Sequence, residues 1–376
     1  MKSKLMILLW FLILLIGSVY LVYSLFLAPN NFLKNSLLGD KVWGFEANEP
    51  IITTPILVDN NIIFRTKDKI YSLNKINADA TWEIPSKAYH ELNDDFAIEK
   101  PFTGNSSFLI SGEESNSIGI YSVTTGSPIW NVMPLINFVD DIEIVDDIMI
   151  VVRHDENLTA YNLSSKRKLW EIKVPERTNL SIAANSKVVV LAADCFLRIY
   201  DLANGKLLKE TIYYDAATGE LILDGSTLFL GYAKDGGNWS IASIQLDSLT
   251  VNWTYHAGNI VHPYLSVIDG QLYLYNQTLV SLDKNNGKLL WKEDTQDFYS
   301  MPVAHNKHLY FISIPEMFDK KLCKVEIRTG NLEDCVSLEK IGLFSNSRHN
   351  IVGPIVVDNM LVISQGSEVI AYRIPQ

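Results

Sequence analysis

Three groups of side chains in this 376-residue chain have types and spacings that could do chemistry. His305 and His308 form a His-x-x-His pair able to grip a transition metal, yet neither a cysteine nor a carboxylate stands at ligand spacing beside them. The other histidines, His90, His154, His256, His262 and His349, are scattered, so surface histidines are expected. Asp140, Asp141, Glu143, Asp146 and Asp147 are the densest run of carboxylates and could offer oxygens to calcium. Strand alternation would split that run between two faces, with Asp146-Asp147 in a turn, which reads as a solvated acidic edge. The three thiols, Cys195, Cys323 and Cys335, include no vicinal pair, no CxxC and no haem-attachment motif. Nucleophile elbow, zinc-protease, phosphate-loop and dinucleotide fingerprints are all absent from the sequence. The expectation is no catalytic residue, no metal and no cofactor.

What positions these residues follows from composition and pattern. At 48% hydrophobic and 20% charged the chain is a globular one with ample core. Forty-three Asp+Glu against 32 Lys+Arg give −11, the wrong sign for a surface that condenses on phosphate backbones, so nucleic acid is not an expected partner. Residues 5–28 carry no charge and, at about 1.5 Å per residue, reach about 36 Å, enough to cross a bilayer core. Lys2 and Lys4 precede the run, which places residues 1–4 in the cytoplasm and the remainder on the extracytoplasmic side of the cytoplasmic membrane. The run exceeds a signal-peptide core, and its Phe26-Leu27-Ala28-Pro29 exit suits cleavage poorly, so a single-pass anchor is expected, followed by a linker over 29–41.

From residue 42 to 376 the sequence repeats. Trp43, Trp82, Trp130, Trp170, Trp253 and Trp291 recur in one frame, with Lys209 and Asp334 in the same slot of degenerate copies, at intervals of about 38 to 48 residues. Upstream of each copy a turn precedes an alternating apolar run, as in Val145-Asp-Asp-Ile-Met-Ile-Val151 and Ile268-Asp-Gly-Gln-Leu-Tyr-Leu274. Each unit reads as four antiparallel strands, the fourth ending at its tryptophan, and four such strands make a propeller blade. Trp43 is a fourth strand with no first three before it; residues 353–374 supply three strands with no fourth after them. Joined, they complete an all-β propeller of eight blades and leave no open edge. The slot tryptophans are expected to dock blade on blade. Trp239, off this frame beside Gly236-Gly237, is the one loop aromatic that could contact a sugar.

The pattern resembles the Ala-Leu-Asp-x-x-x-Gly-Lys-x-x-Trp repeat of the quinoprotein, or PQQ-like, eight-bladed propellers. It is clearest in Ser281-Leu-Asp-Lys-Asn-Asn-Gly-Lys-Leu-Leu-Trp291 and Ile199-Tyr-Asp-Leu-Ala-Asn-Gly-Lys-Leu-Leu-Lys209. The resemblance implies either a dehydrogenase holding pyrroloquinoline quinone with calcium, or the non-enzymatic, BamB-like branch that binds protein partners. The vicinal cysteines of the first are missing and the blades leave little chain to wall a substrate pocket. The expectation is therefore a non-catalytic scaffold or assembly factor of an envelope complex, with no quinone or calcium. The alternatives are a quinone- or small-ligand-dependent dehydrogenase and a carbohydrate or cell-wall sensor. Cys323 and Cys335 lie nearly symmetrically about the Thr329-Gly330 turn, so either a cross-strand disulfide or two buried thiols is expected there.

Overall fold

The computed structural model describes residues 37–85, 102–113, 117–132, 139–153, 157–174, 180–193, 196–212, 216–234, 238–258, 263–293, 298–314, 320–338 and 353–375. The apolar run over 5–28, most of the linker, and Cys195 lie outside the described residues. Among the described residues no helix is long and apolar enough to cross a membrane.

Eight antiparallel sheets follow one another around a ring. Six are single meanders of four consecutive strands, such as Ile56–Val58, Asn61–Arg65, Lys69–Asn74 and Ala80–Pro85 of the first blade. In the seventh the innermost strand is split into Phe298–Tyr299 and Val303–His305, both paired to His308–Ile314. The eighth is composite: Ile355–Val357, Met360–Gln365 and Glu368–Arg373 are completed on the outside by Lys41–Glu46. Pro55, Pro263, Pro302 and Pro354 each immediately precede an inner strand, where a missing N–H leaves the ladder intact. Asp146 and Asp358 take left-handed φ of 52° and 54° in the hairpins that follow, a conformation that acidic and amide residues accept more readily than β-branched ones.

The outer strands run past the tryptophan instead of ending at it; Arg167–Lys173 carries Trp170 in its middle. What marks the slot is a β-bulge. Register shifts between Ser72 and Leu73, Ile120 and Tyr121, Ala160 and Tyr161, Ile199 and Tyr200, Ser243 and Ile244, Ser281 and Leu282, and Lys324 and Val325 recur at one place in seven blades. A bulge twists its strand and re-aims the side chain beside it. Here it turns the slot residue toward the next blade.

The re-aimed indoles fasten the ring. Nε1–H of Trp43, Trp82, Trp170, Trp253 and Trp291 donates to the carbonyl of Lys75, Val123, Leu202, Lys284 and Ile327, each in the following blade, at 2.8–3.1 Å. Lys209 keeps the arrangement without an indole: its Nζ donates to the carbonyls of Leu246 and Asp247. Trp130 packs edge-to-face on Tyr161 of the next blade, ring centroids 5.6 Å apart. The partner turn makes room with glycine. A Cβ on Gly287, which has φ +70°, would stand 2.5 Å from the ring of Trp253. The apolar clusters accordingly lie between blades, one joining Trp43 and Val369 of the eighth to Ile62 and Leu73 of the first.

Replacing Trp291 by Ala should lower stability by about 3–5 kcal/mol in denaturant titration, as for other large buried aromatics. Gly287→Ala should cost about 1–3 kcal/mol through the forced approach to Trp253. Deleting residues 353–376 removes three strands of the composite blade; the expected result is loss of a cooperative thermal transition, with aggregation seen by light scattering.

Candidate functional site

The inner strands of the blades wall a central channel, and one register position, four residues before each hairpin, decides its character. Blades three and five put Asp141 and Glu220 there; blades six and seven put Tyr264 and Met301. Both carboxylates reach sideways. Asp141 Oδ2 accepts the N–H of Ile182 at 2.9 Å, and Glu220 Oε2 accepts the N–H of Leu265 at 2.5 Å, equivalent peptides of the respective following blades. Ser181, which holds the same position in blade four, donates its hydroxyl to Asp141 at 3.4 Å. Each carboxylate thus clasps a neighbouring inner strand.

Crowding of negative charge in this wall has a price in protonation. Burial pushes Glu143 up to about 7, helped by the charge of Asp141 two residues earlier on the same face. Glu220 also rises to about 7, through burial first and Asp141 second, while the Leu265 N–H pulls the other way. The opposite wall is apolar and open. Tyr264 and Met301 are each 54% exposed and Leu57, on the inner strand of blade one, is 41% exposed, far more than the rest of the strand interior. Tyr264 stacks on Tyr275 at 5.6 Å. The wall thus differs from arc to arc, with carboxylates folded into the seams of blades three and five and exposed Tyr264 and Met301 on blades six and seven.

The structure sorts the residues named from sequence. Asp141 and Glu143 are not a solvated edge: they are half-buried and turned into the wall, because adjacent blades press on both faces of an inner strand. Asp146 and Asp147 do fill a turn, where Asp147 accepts from Asn162 and Ser164. Trp239 is not a loop aromatic. It lies on the strand Asn238–Gln245 and is 3% exposed, so it offers no face to a sugar. His305 and His308 pair across a hairpin, and His308 meets Glu333 at 3.2 Å, a carboxylate that sequence spacing gave no reason to place there. Among the described residues no group of three or more potential ligands could hold a metal ion. Cys323 and Cys335 stand directly opposite each other, Cα atoms 4.1 Å apart with the sulfurs at bonding distance, on the face packed toward Trp291.

Two residues were hidden in the sequence. Glu220 could have been found by counting four positions back from Asp224, the last residue before its hairpin, as Asp141 is found from Val145. Arg65 could not: it is 3% exposed, and its Nη1 donates across the seam to Ser111 and to the carbonyl of Gly112, a contact that only the packed blades reveal.

Protonation of Glu143 and Glu220 links the channel to pH. Both have native values above the unfolded one, so the folded chain retains protons that the unfolded chain has released between about 4.5 and 7. Their contribution is complete below about 4.5 and is lost as pH rises through 7. Glu220→Gln should reduce the fall in Tm between pH 5 and pH 8 by a few degrees, read by calorimetry.

Residues 95–276 match the PQQ-type family described as outer membrane protein assembly factor BamB. The outer membrane protein assembly factor BamB of Shewanella oneidensis is 23% identical over 276 residues, covering 68% of this chain and just under two thirds, 66%, of that relative. Among solved structures, BamB from Moraxella catarrhalis superposes with a TM-score of 0.64 at 12% identity, over 89% of this chain and all of that one. The computationally designed Ika8 protein gives 0.70 at 14% identity with the same coverage, and Sqt1 of Saccharomyces cerevisiae 0.67 at 10% over 90% and 100%. Those likenesses share the architecture alone. Repeat frame and ring make this chain an eight-bladed β-propeller, and over residues 95–276 its sequence is similar to the PQQ-type family described as BamB.

Proposed function

We propose that the chain is a membrane-anchored propeller on the extracytoplasmic side of the cytoplasmic membrane, acting without catalysis of its own as a protein-binding scaffold or assembly factor of an envelope complex. The observation that carries this reading is the match to a relative named an outer membrane protein assembly factor. Residues 5–28 supply the anchor, and because Lys41–Glu46 is the outermost strand of its blade, the tether meets the ring at its rim. A rim-tethered ring stays near the membrane yet can turn its channel toward a partner, and its net acidity keeps it off anionic head groups.

Among the described residues the inner-wall carboxylates do not offer the convergent oxygens that calcium beside pyrroloquinoline quinone needs. Asp141 and Glu220 direct oxygens to neighbouring peptide N–H groups instead of converging on one point. The paired cysteines stand in the seam beneath Trp291 and are not neighbours in sequence. Oxidation of Cys323 with Cys335 belongs to the same reading, since such bonds persist outside the cytoplasm.

Cross-linking in native membranes should capture a protein partner. A chain lacking residues 1–28 should need a concentration about tenfold or more higher for equal capture, because the anchor raises effective concentration and leaves the site unchanged. Dye reduction on adding quinone and calcium, with no protein captured, would overturn the scaffold in favour of an enzyme. Non-reducing mass spectrometry should find residues 323 and 335 linked; two alkylatable thiols would count against the extracytoplasmic placement.

A further inference from the structure

In the eighth blade the turn between third and fourth strands is cut, and its two halves come from residues far apart in sequence. In blade four that turn joins Phe196–Asp201 to Leu207–Ile212: Gly205 donates its N–H to the Asp201 carbonyl, Asp201 donates to Lys206, and Leu202 donates to Lys187 of the inner hairpin. Blade eight repeats each bond across the break. Gly39 donates to the Arg373 carbonyl at 2.8 Å, Arg373 donates to Asp40 at 3.0 Å, and Ile374 donates to Asn359 at 2.8 Å. Leu37, Leu38 and Gly39 therefore stand where blade four has Ala203, Asn204 and Gly205. The two leucines are no solvated turn. They are 0% and 2% exposed, packed with Tyr310 and Leu322 of blade seven and with Tyr372 and Ile374 of blade eight.

In an antiparallel meander the first hairpin and the third-to-fourth turn fall on one face of the ring, the turn face, and the second-to-third-strand loops on the other. The chain toward residues 5–28 thus leaves the ring on the turn face. With Leu37 already packed, only residues 29–36 lie between, and at about 3.5 Å each they span at most about 28 Å. To bring the other face down, this short chain would first have to climb a blade, about 20 Å for a six-residue strand. The acidic body would then lie within about one Debye length, ~8 Å, of the head groups.

Resting on the reading of residues 5–28 as an anchor, we propose that the turn face is the membrane-facing surface of the ring. Its point of attachment, pinned in the seam of blades seven and eight, is held within about 28 Å of the lipid. A partner embedded in the same membrane meets hairpins and turns such as Asp358-Asn359 and 75–79, whereas the second-to-third-strand loops look away.

The test places the full-length protein in phosphatidylcholine vesicles carrying NBD-labelled head groups, with a coumarin amino acid in place of one surface residue. Ile76 and Lys67 lie on the turn face and the opposite face of blade one, as Asn285 and Gln277 do in blade six. Energy transfer to the lipid should be about fivefold or more faster from position 76 than from 67, and from 285 than from 277. The rate falls with the fourth power of distance from a plane of acceptors, and a blade separates each pair by about 20 Å. An insert of about twenty Gly and Ser residues between Ser36 and Leu37 leaves the packed leucines in place and should bring both ratios within about twofold of one. Equal transfer within each pair, as from a ring standing edge-on, a reversed ratio, or ratios unmoved by the insert would overturn the facing, while anchor and scaffold stand if the protein floats with the vesicles. A protein that does not float with them would overturn the anchor, and the facing with it.

Discussion

A peptide bound on both faces holds this ring together. Its N–H belongs to its own blade, tying outer hairpin to inner hairpin, and its carbonyl belongs to the neighbour, whose indole or ammonium reaches across. Since a blade buries apolar surface on each side, no blade has an independent core, and the clusters sit at the seams. Desolvation therefore stabilises only neighbours in contact, and the directional bond at each seam fixes how they meet. The bulge before the slot is what lets one repeated sequence frame aim its side chain outward from the sheet plane toward that carbonyl.

A second, inner belt works by different means. There the bridging groups are carboxylates gripping peptide N–H groups, and among the described residues these lie on one arc of the channel, from Asp141 to Leu265. The outer belt is neutral apart from Lys209; the inner one is ionisable. The ring thus combines neutral indole bonds between outer strands with an inner wall whose charge changes near neutrality.

The fold was legible because it is periodic. Tryptophan spacing, prolines ahead of inner strands and the orphan strand at Trp43 were enough to give the blade count and the composite blade. Cys323 and Cys335 were legible because a hairpin maps sequence symmetry onto spatial opposition. What failed was whatever depends on neighbours across a seam. The inward turn of Asp141 and Glu143, the burial of Trp239 and the reach of Arg65 all arise from blades closing on one another, and local alternation carries no trace of that. Lys209 lay between these cases: its slot was evident, but nothing in the sequence said that an ammonium would make the tryptophan's bond.

The composite blade also imposes an order in time. Lys41–Glu46 leaves the ribosome before any other strand, yet its partner Glu368–Arg373 is made last. Throughout synthesis the first strand must wait unpaired while seven blades form beside it, because its ladder spans nearly the whole ring and loop closure of that length is slow. Newly made chains are consequently most vulnerable just before completion, when the ring is almost whole but still open on both sides of a single gap. Anything that holds the first strand apart from its own kind during that interval, such as a chaperone, governs the yield of closed rings as much as the sequence of the blades does.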